Sequence, residues 1–193
     1  MKSFYQKFIV LILLITVSGF WTTSLKAQVL YNEGFTTVAP LPTGWAAQNL
    51  SAPVGTTGWL QGNAGVFPAN SGATTAYIAA NFNNVGGANV ISNWLFNPSV
   101  TLTNGDIFTF YTRTVNAPAF PDRLQVRLST NGASTNVGAT SASVGDFSTL
   151  LLDINPTYTL AGYPIVWTQY TIVISGLAAP TPGRIAGALT VLV

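Results

Sequence analysis

Histidine and cysteine are both absent from these 193 residues, and charged side chains make up only 6% of them. Without an imidazole there is no Ser-His-Asp or Cys-His machinery. Without thiols there are no disulfides and no thiolate metal site, and zinc would have to be held by carboxylates alone, against its usual preference. Lysine occurs only at Lys2, Lys7 and Lys26, so a chain that begins after them also has no Ser-Lys or Schiff-base chemistry. Phosphate loops are missing too: the glycines of "NVGGAN" (84–89) have no following Lys-Ser/Thr. One enzymatic route is left, a glycosidase-type carboxylate pair, and five acids are available for it: Glu33, Asp106, Asp122, Asp146 and Asp153. Asp106, Asp122 and Asp146 stand at turn, strand-start and loop-end positions, where carboxylates commonly cap or solubilise. Asp153, before an Asn-Pro turn, suits accepting backbone hydrogen bonds. The expectation is a non-catalytic protein.

The first residues have the order of a secretory signal peptide. Basic "MKSFYQK" precedes the apolar run "FIVLILLITVSGFW", and "TTSLKA" ends in a small residue at Ala27. Cleavage after Ala27 makes residues 1–27 the leader and 28–193 the mature chain. The apolar run is shorter than the ~20 residues a membrane span needs, so no transmembrane segment is expected in the mature chain. With the lysines gone, four arginines face five carboxylates, a net charge of −1. Four scattered arginines make no basic patch, which argues against a nucleic-acid partner. A cysteine-free exported chain fits a bacterial envelope, so the expected location is secreted or at the outer cell surface. About 166 residues are enough for one domain with a sizeable core. At 48% hydrophobic content the chain is too apolar for disorder.

After Gln28 no stretch reads as a helix. Apolar residues recur at period two and are interrupted by Gly, Pro and Asn. Strands are expected over 29–35, 58–62, 75–81, 89–96, 99–103, 106–114, 123–130, 149–154, 165–175 and 183–193. Asn104-Gly105 and Asn131-Gly132 are the strongest hairpin signals. In "RLQVRLS" one face carries Leu124, Val126 and Leu128, while Gln125, Arg127 and Ser129 take the wet one. Stretches 136–145 and 177–183 read as surface loops. Many short strands with no helices between them predict an all-β fold, a two-layer antiparallel β-sandwich.

Several motifs are familiar. "NEGFTTVAPLPTGW", "SNWLFNPSVTLTNGDIFTFYTR", "PDRLQVRLSTNG", "GYPIVWTQYTIVISGL" and "GRIA", in that order, resemble the choice-of-anchor J and cleaved-adhesin domains of bacterial surface proteins. The likeness runs from about Tyr31 to Ala186. It implies a jelly-roll sandwich, similar to MAM domains and to many carbohydrate-binding modules. It also implies a secreted adhesion or binding module that recognises a glycan or a surface protein, often with bound calcium. The glutamate of the opening strand lies near calcium in that family, and Glu33 is the matching position. Calcium favours hard oxygen donors, as a glutamate offers; the bland reading of Glu33 is a solvated strand end. After "GRIA" the chain departs from the pattern. It reads "GALTVLV" to Val193 with no further acid, so the C-terminal share of a calcium site is lacking. The resemblance then implies a truncated or frame-shifted end, with missing strands and "ALTVLV" as an aggregation-prone edge; the alternative is a short natural variant with a plain last strand.

Trp94, Phe96, Phe108 and Phe110 sit inside alternating strands and are expected in the core. Trp45 is expected to plug one end of the sandwich. Trp59 and Tyr163, flanked by Gly, Thr or Pro, are the candidate ligand-binding residues: a flat ring there can stack on a sugar, or be buried instead. Two other roles compete with binding, a structural surface-layer component and an accessory domain of a carbohydrate-active enzyme.

Overall fold

A computed structural model describes residues 28–192. The leader lies outside the described residues. Tyr31 begins the main unit; residues 28–30 belong to a separate N-terminal unit. Ten strands follow in order: β1 Ala46–Asn49, β2 Leu60–Gln61, β3 Ile78–Ala79, β4 Val90–Phe96, β5 Val100–Leu102, β6 Ile107–Thr112, β7 Asp122–Ser129, β8 Thr149–Ile154, β9 Thr168–Val173 and β10 Thr181–Leu192. A single 3₁₀ turn, Phe82–Asn84, is the helical content of the described residues. All pairings are antiparallel, and the fold is the two-layer β-sandwich that the alternation predicts. No helix of the described residues is long and apolar enough to cross a membrane.

One layer is a large sheet ordered β1-β4-β10-β7-β8, with β5 also pairing β10. The other consists of two separate two-stranded pieces, β2-β3 and β6-β9. Val126, Leu128 and Ile185 of the large sheet pack with Ile172, Phe108 and Phe110 of β6-β9. This is one part of the inter-layer core; on the same face Ile91, Leu189 and Val191 pack with Val85 as a separate cluster.

The opposite face of the large sheet has a second core. Trp94, Phe96, Ala186 and Ala188 point outward there and are covered by Val137 and Phe147, both fully buried. Segment 136–145, expected on the surface, therefore carries a plug. The loop is anchored by Asp146, whose carboxylate accepts from Ser134 Oγ at 2.6 Å and Asn131 Nδ2 at 2.8 Å. Its small polar residues hide Val137 from a composition-based reading.

Other expectations need correction. No strand forms over 29–35, because Phe35 takes φ 51, a left-handed conformation that ends extended structure. Glu33 Oε1 accepts the Phe35 N–H at 2.6 Å and holds that kink. Asn104-Gly105 does not join paired strands: β5 pairs β10 while β6 pairs β9. Only Gly105, at φ 97, has positive φ, whereas a type I′ hairpin needs two such residues; the turn is a corner between layers. Ser129 is buried although it lies on the expected wet face. Asp153 does not brace its own turn; it receives Arg123 at 2.5 and 2.8 Å and Gln125 at 3.0 Å. β1 was not foreseen, since "AAQN" has no β-branched residue to mark it.

"ALTVLV" is not an unpaired edge. Its residues 188–192 belong to β10 at the centre of the large sheet, with Ala188 opposite both Trp94 and Gln125, and Leu189 opposite both Asn93 and Leu124.

Candidate functional site: an aromatic cavity over a glycine floor

A cavity of about 1070 Å³ lies against the inner face of the large sheet, where the second layer is split. Its floor is built by strand alternation from Ile91 and Leu95 of β4, Gly187, Leu189 and Val191 of β10, and Leu124 and Val126 of β7. Gly187 stands at the centre of that floor, between Leu95 and Val126 in register. Without a side chain it deepens the cavity. A Cβ placed there meets nothing nearer than Leu124 Cδ1 at 3.5 Å. An interior glycine weakens a strand, and often marks where a ligand or another chain comes close.

The walls are aromatic. Phe67, Tyr77 and Trp167 pack at one side, Tyr77 stacked on Phe67 at 5.1 Å and Trp167 edge-on to both at 5.5 and 5.6 Å. Tyr77 is fixed there because its hydroxyl donates to Asn63 O at 2.8 Å and receives the Asn63 N–H at 2.8 Å. Phe108 and Phe110 of β6 also line the cavity, as do Phe35 and Trp45. Trp45, expected as a plug, packs edge-on to Phe35 at 4.8 Å and to Tyr31 at 6.3 Å.

Both candidate ligand residues line this cavity. Trp59 is half-buried, and its Nε1–H donates to the Trp94 carbonyl at 3.0 Å. Its loop is pinned by Asn49 Nδ2, which donates to Asn84 O at 2.7 Å, and by Thr57 N, which donates to Asn83 O at 3.2 Å. Tyr163 is buried, with its hydroxyl 2.7 Å from Thr112 Oγ1. Burial pushes that phenol well above its ordinary range, so it stays neutral.

The polar groups are few and mostly engaged. Asn97 Nδ2 donates to the Tyr31 hydroxyl at 2.6 Å, and Gln61 Nε2 donates to Phe35 O and Thr75 O at 2.8 and 2.6 Å. Arg113 lies over Phe67, 4.2 Å from the ring centroid, with hydrogen bonds to the carbonyls of Ile165 and Thr114 at 2.5 and 3.2 Å. Asp122 is the one acidic residue of the lining. Burial raises its carboxyl above the usual carboxylate range, partly offset by a hydrogen bond from Thr114.

A glycosidase pair would need a second carboxylate facing the first across the cavity. Asp153 is on the other face of the sheet with Arg123, Asp106 caps the corner by accepting from Thr103, and Asp146 anchors the outer loop. Glu33 has one carboxylate oxygen committed to Phe35 N–H. Among the described residues no group of three His, Cys, Asp or Glu side chains could hold a metal ion.

The sequence pointed to Trp59 and Tyr163 but missed Phe67, Tyr77, Trp167, Gly187 and Asp122. Two signals were available. Gly187 interrupts an otherwise continuous strand pattern, and Asp122 shares the parity of Leu124 and Val126 and so had to point inward.

No known protein family's profile matches the sequence, and no curated protein matches it. Solved structures similar to it include cleaved adhesin domains of Lys-gingipain. The K1 domain, from Porphyromonas gingivalis W83, is 20% identical with TM-score 0.48, covering 78% of this chain and 88% of that one. The K2 domain is 19% identical with TM-score 0.48, covering 83% and 90%. The K3 domain, also from Porphyromonas gingivalis W83, is 17% identical with TM-score 0.42, covering 84% and 97%. At these values the likeness transfers no residue role and no ligand to this chain, and the choice-of-anchor J and cleaved-adhesin families named above stay a resemblance.

Proposed function

We propose that the protein is a non-catalytic binding module of the cell surface or its surroundings, and that it captures an extended protein segment in the aromatic cavity. The observation that carries this reading is the floor: a glycine at the centre of the central strand, leaving room where a sandwich ordinarily packs side chains. A protein segment is favoured over a glycan by the hydrogen-bonding inventory. Sugar recognition draws on free donors around a stacked ring, whereas the side-chain donors of Asn97, Gln61 and Trp59 are engaged within the protein and the Tyr163 hydroxyl is paired with Thr112. Apolar side chains of a partner need only the walls.

Calcium is part of the same proposal only in a weak form. Glu33 offers one carboxylate, already hydrogen-bonded, and affinity for calcium falls as the number of charged ligands falls. Any site built on it belongs to the millimolar class.

The test is a displayed random-peptide library selected on the purified protein, in parallel with a glycan array, repeated on Gly187→Leu. A leucine there fills the floor without positive-φ strain. Peptides with apolar side chains are expected to bind the native protein and to lose at least about tenfold on the filled variant. Glycans bound by the native protein and lost on Gly187→Leu would put a sugar in the cavity instead. Binding that Gly187→Leu leaves unchanged would refute the cavity as the site.

A further inference from the structure

Asp122 is out of place on the inner face of the large sheet. In register it lies beside Val191, with Leu124 and Val126 following on its own strand toward the floor. A carboxylate among apolar groups is costly unless an opposite charge or several hydrogen bonds compensate it. Here the compensation is slight. Arg123–Asp153 is the salt bridge of the described residues, and it lies on the opposite face. Arg113, which shares the cavity, is turned to backbone carbonyls and to the Phe67 ring. Thr114 is the polar side chain that partly offsets the cost. The position is nevertheless rigid: the backbone of Asp122 is paired with β10, and its carbonyl accepts from Asn155 Nδ2 at 2.7 Å.

A half-buried carboxylate held firmly in an aromatic cavity, with no cation paired to it among the described residues, has the two components that recognise an organic cation. The carboxylate supplies the charge, and ring faces such as those of Tyr163 and Trp167 supply quadrupole attraction and apolar walls for an aliphatic stem. We propose that Asp122 is the specificity-determining residue of the cavity and that it receives an aliphatic primary ammonium, the chemistry of a lysine side chain, from the bound segment. This rests on the cavity being the binding site. It adds the class of side chain that the site selects.

The experiment compares N-acetyl-lysine methylamide with its uncharged analogue N-acetyl-norleucine methylamide. Each is titrated into the native protein, Asp122→Asn and Gly187→Leu, with the indole N–H resonances of Trp59 and Trp167 as reporters. The asparagine is nearly isosteric and removes a desolvated charge, so the variant is expected to fold, as its amide spectrum will show. The native protein is expected to bind the lysine probe about tenfold more tightly than the norleucine probe, and Asp122→Asn to abolish that difference. Equal binding of both probes, unaffected by Asp122→Asn but lost in Gly187→Leu, would overturn the ammonium assignment and leave the cavity reading intact. No shift of either indole with either probe would overturn both.

Discussion

Replacing Phe147 by alanine should destabilise the protein severely, although Phe147 lies in a connection that looks like surface loop. The ring is fully buried. It packs 5.2 Å from Phe96 and 5.8 Å from Trp94, centroid to centroid, over the outward face of the large sheet. Fully buried Phe→Ala changes cost about 3–5 kcal/mol through lost transfer energy and the cavity left behind. The two aromatic neighbours place the change toward the upper part of that range, since each such pair adds ~0.5–1.5 kcal/mol beyond area. In a domain of this size 1 kcal/mol moves the midpoint by about 2–4 °C, so the drop should be roughly 6–20 °C. The assay is a thermal melt followed by near-ultraviolet circular dichroism, in which Trp94 reports the local packing and the cooperative transition reports global stability. Val166→Ala, at an exposed position, serves as the control and should stay within about 0.5 kcal/mol of native. A Phe147→Ala protein that melts with the control would refute the second core and return segment 136–147 to the status of ordinary loop.

Tyr163→Phe should cost about 1 kcal/mol, measured by denaturant titration, because the half-buried Thr112 hydroxyl loses its partner. Stability should respond to acid in opposite senses at two carboxylates. Arg123 beside Asp153 lowers that carboxyl, so its contribution is present above the ordinary carboxylate range and fades as pH falls through the depressed value; Asp153→Asn should lose about 1 kcal/mol at pH 7 and nothing at pH 2. Burial raises Asp122, so the native protein loses stability as pH rises from about 4 through the elevated value, and Asp122→Asn should melt higher than native at pH 7 but not at pH 3. Calcium at about 1 mM should move the melting midpoint by less than ~3 °C relative to chelator, since a site at half-saturation adds only ~0.4 kcal/mol; a shift of 5 °C or more would mean a calcium site far better furnished than Glu33 alone.

The strands were legible where the alternation was strong. β4, β7 and β8 fall within a residue or two of their expected bounds, because seven to eight residues of "VISNWLF" and "DRLQVRLS", and the compact "TLLLDI", leave no other period to fit. What failed was partner choice. Asn104-Gly105 is a turn in either topology, and nothing local says that β5 will leave its neighbour β6 to pair with β10. Burial failed where it depends on the remote chain: Val137 is inside because Trp94 and Phe96, some forty residues earlier, present a second apolar face. The site was half legible. Trp59 and Tyr163 stood out as rings in loop-like surroundings, and both line the cavity. The cavity itself was not readable, since it arises from the failure of β2-β3 and β6-β9 to join into one sheet, and a gap between strands leaves no mark on either strand's sequence.

The position of β10 has a consequence for how the chain is made. It lies between β4 and β7, so the large sheet closes only when residues 181–192 are in place. A polypeptide growing from its N-terminus presents residues 90–96 and 122–129 long before their common partner exists. During that interval both strands carry apolar faces and unpaired backbone, the condition in which nascent chains misassociate. Closure must also bring together segments separated by most of the domain, which makes folding slow compared with a protein of local contacts. The main sheet therefore cannot be completed before residues 181–192 have been synthesised. A fold that stays open until β10 arrives is compatible with passage through a membrane in an extended state.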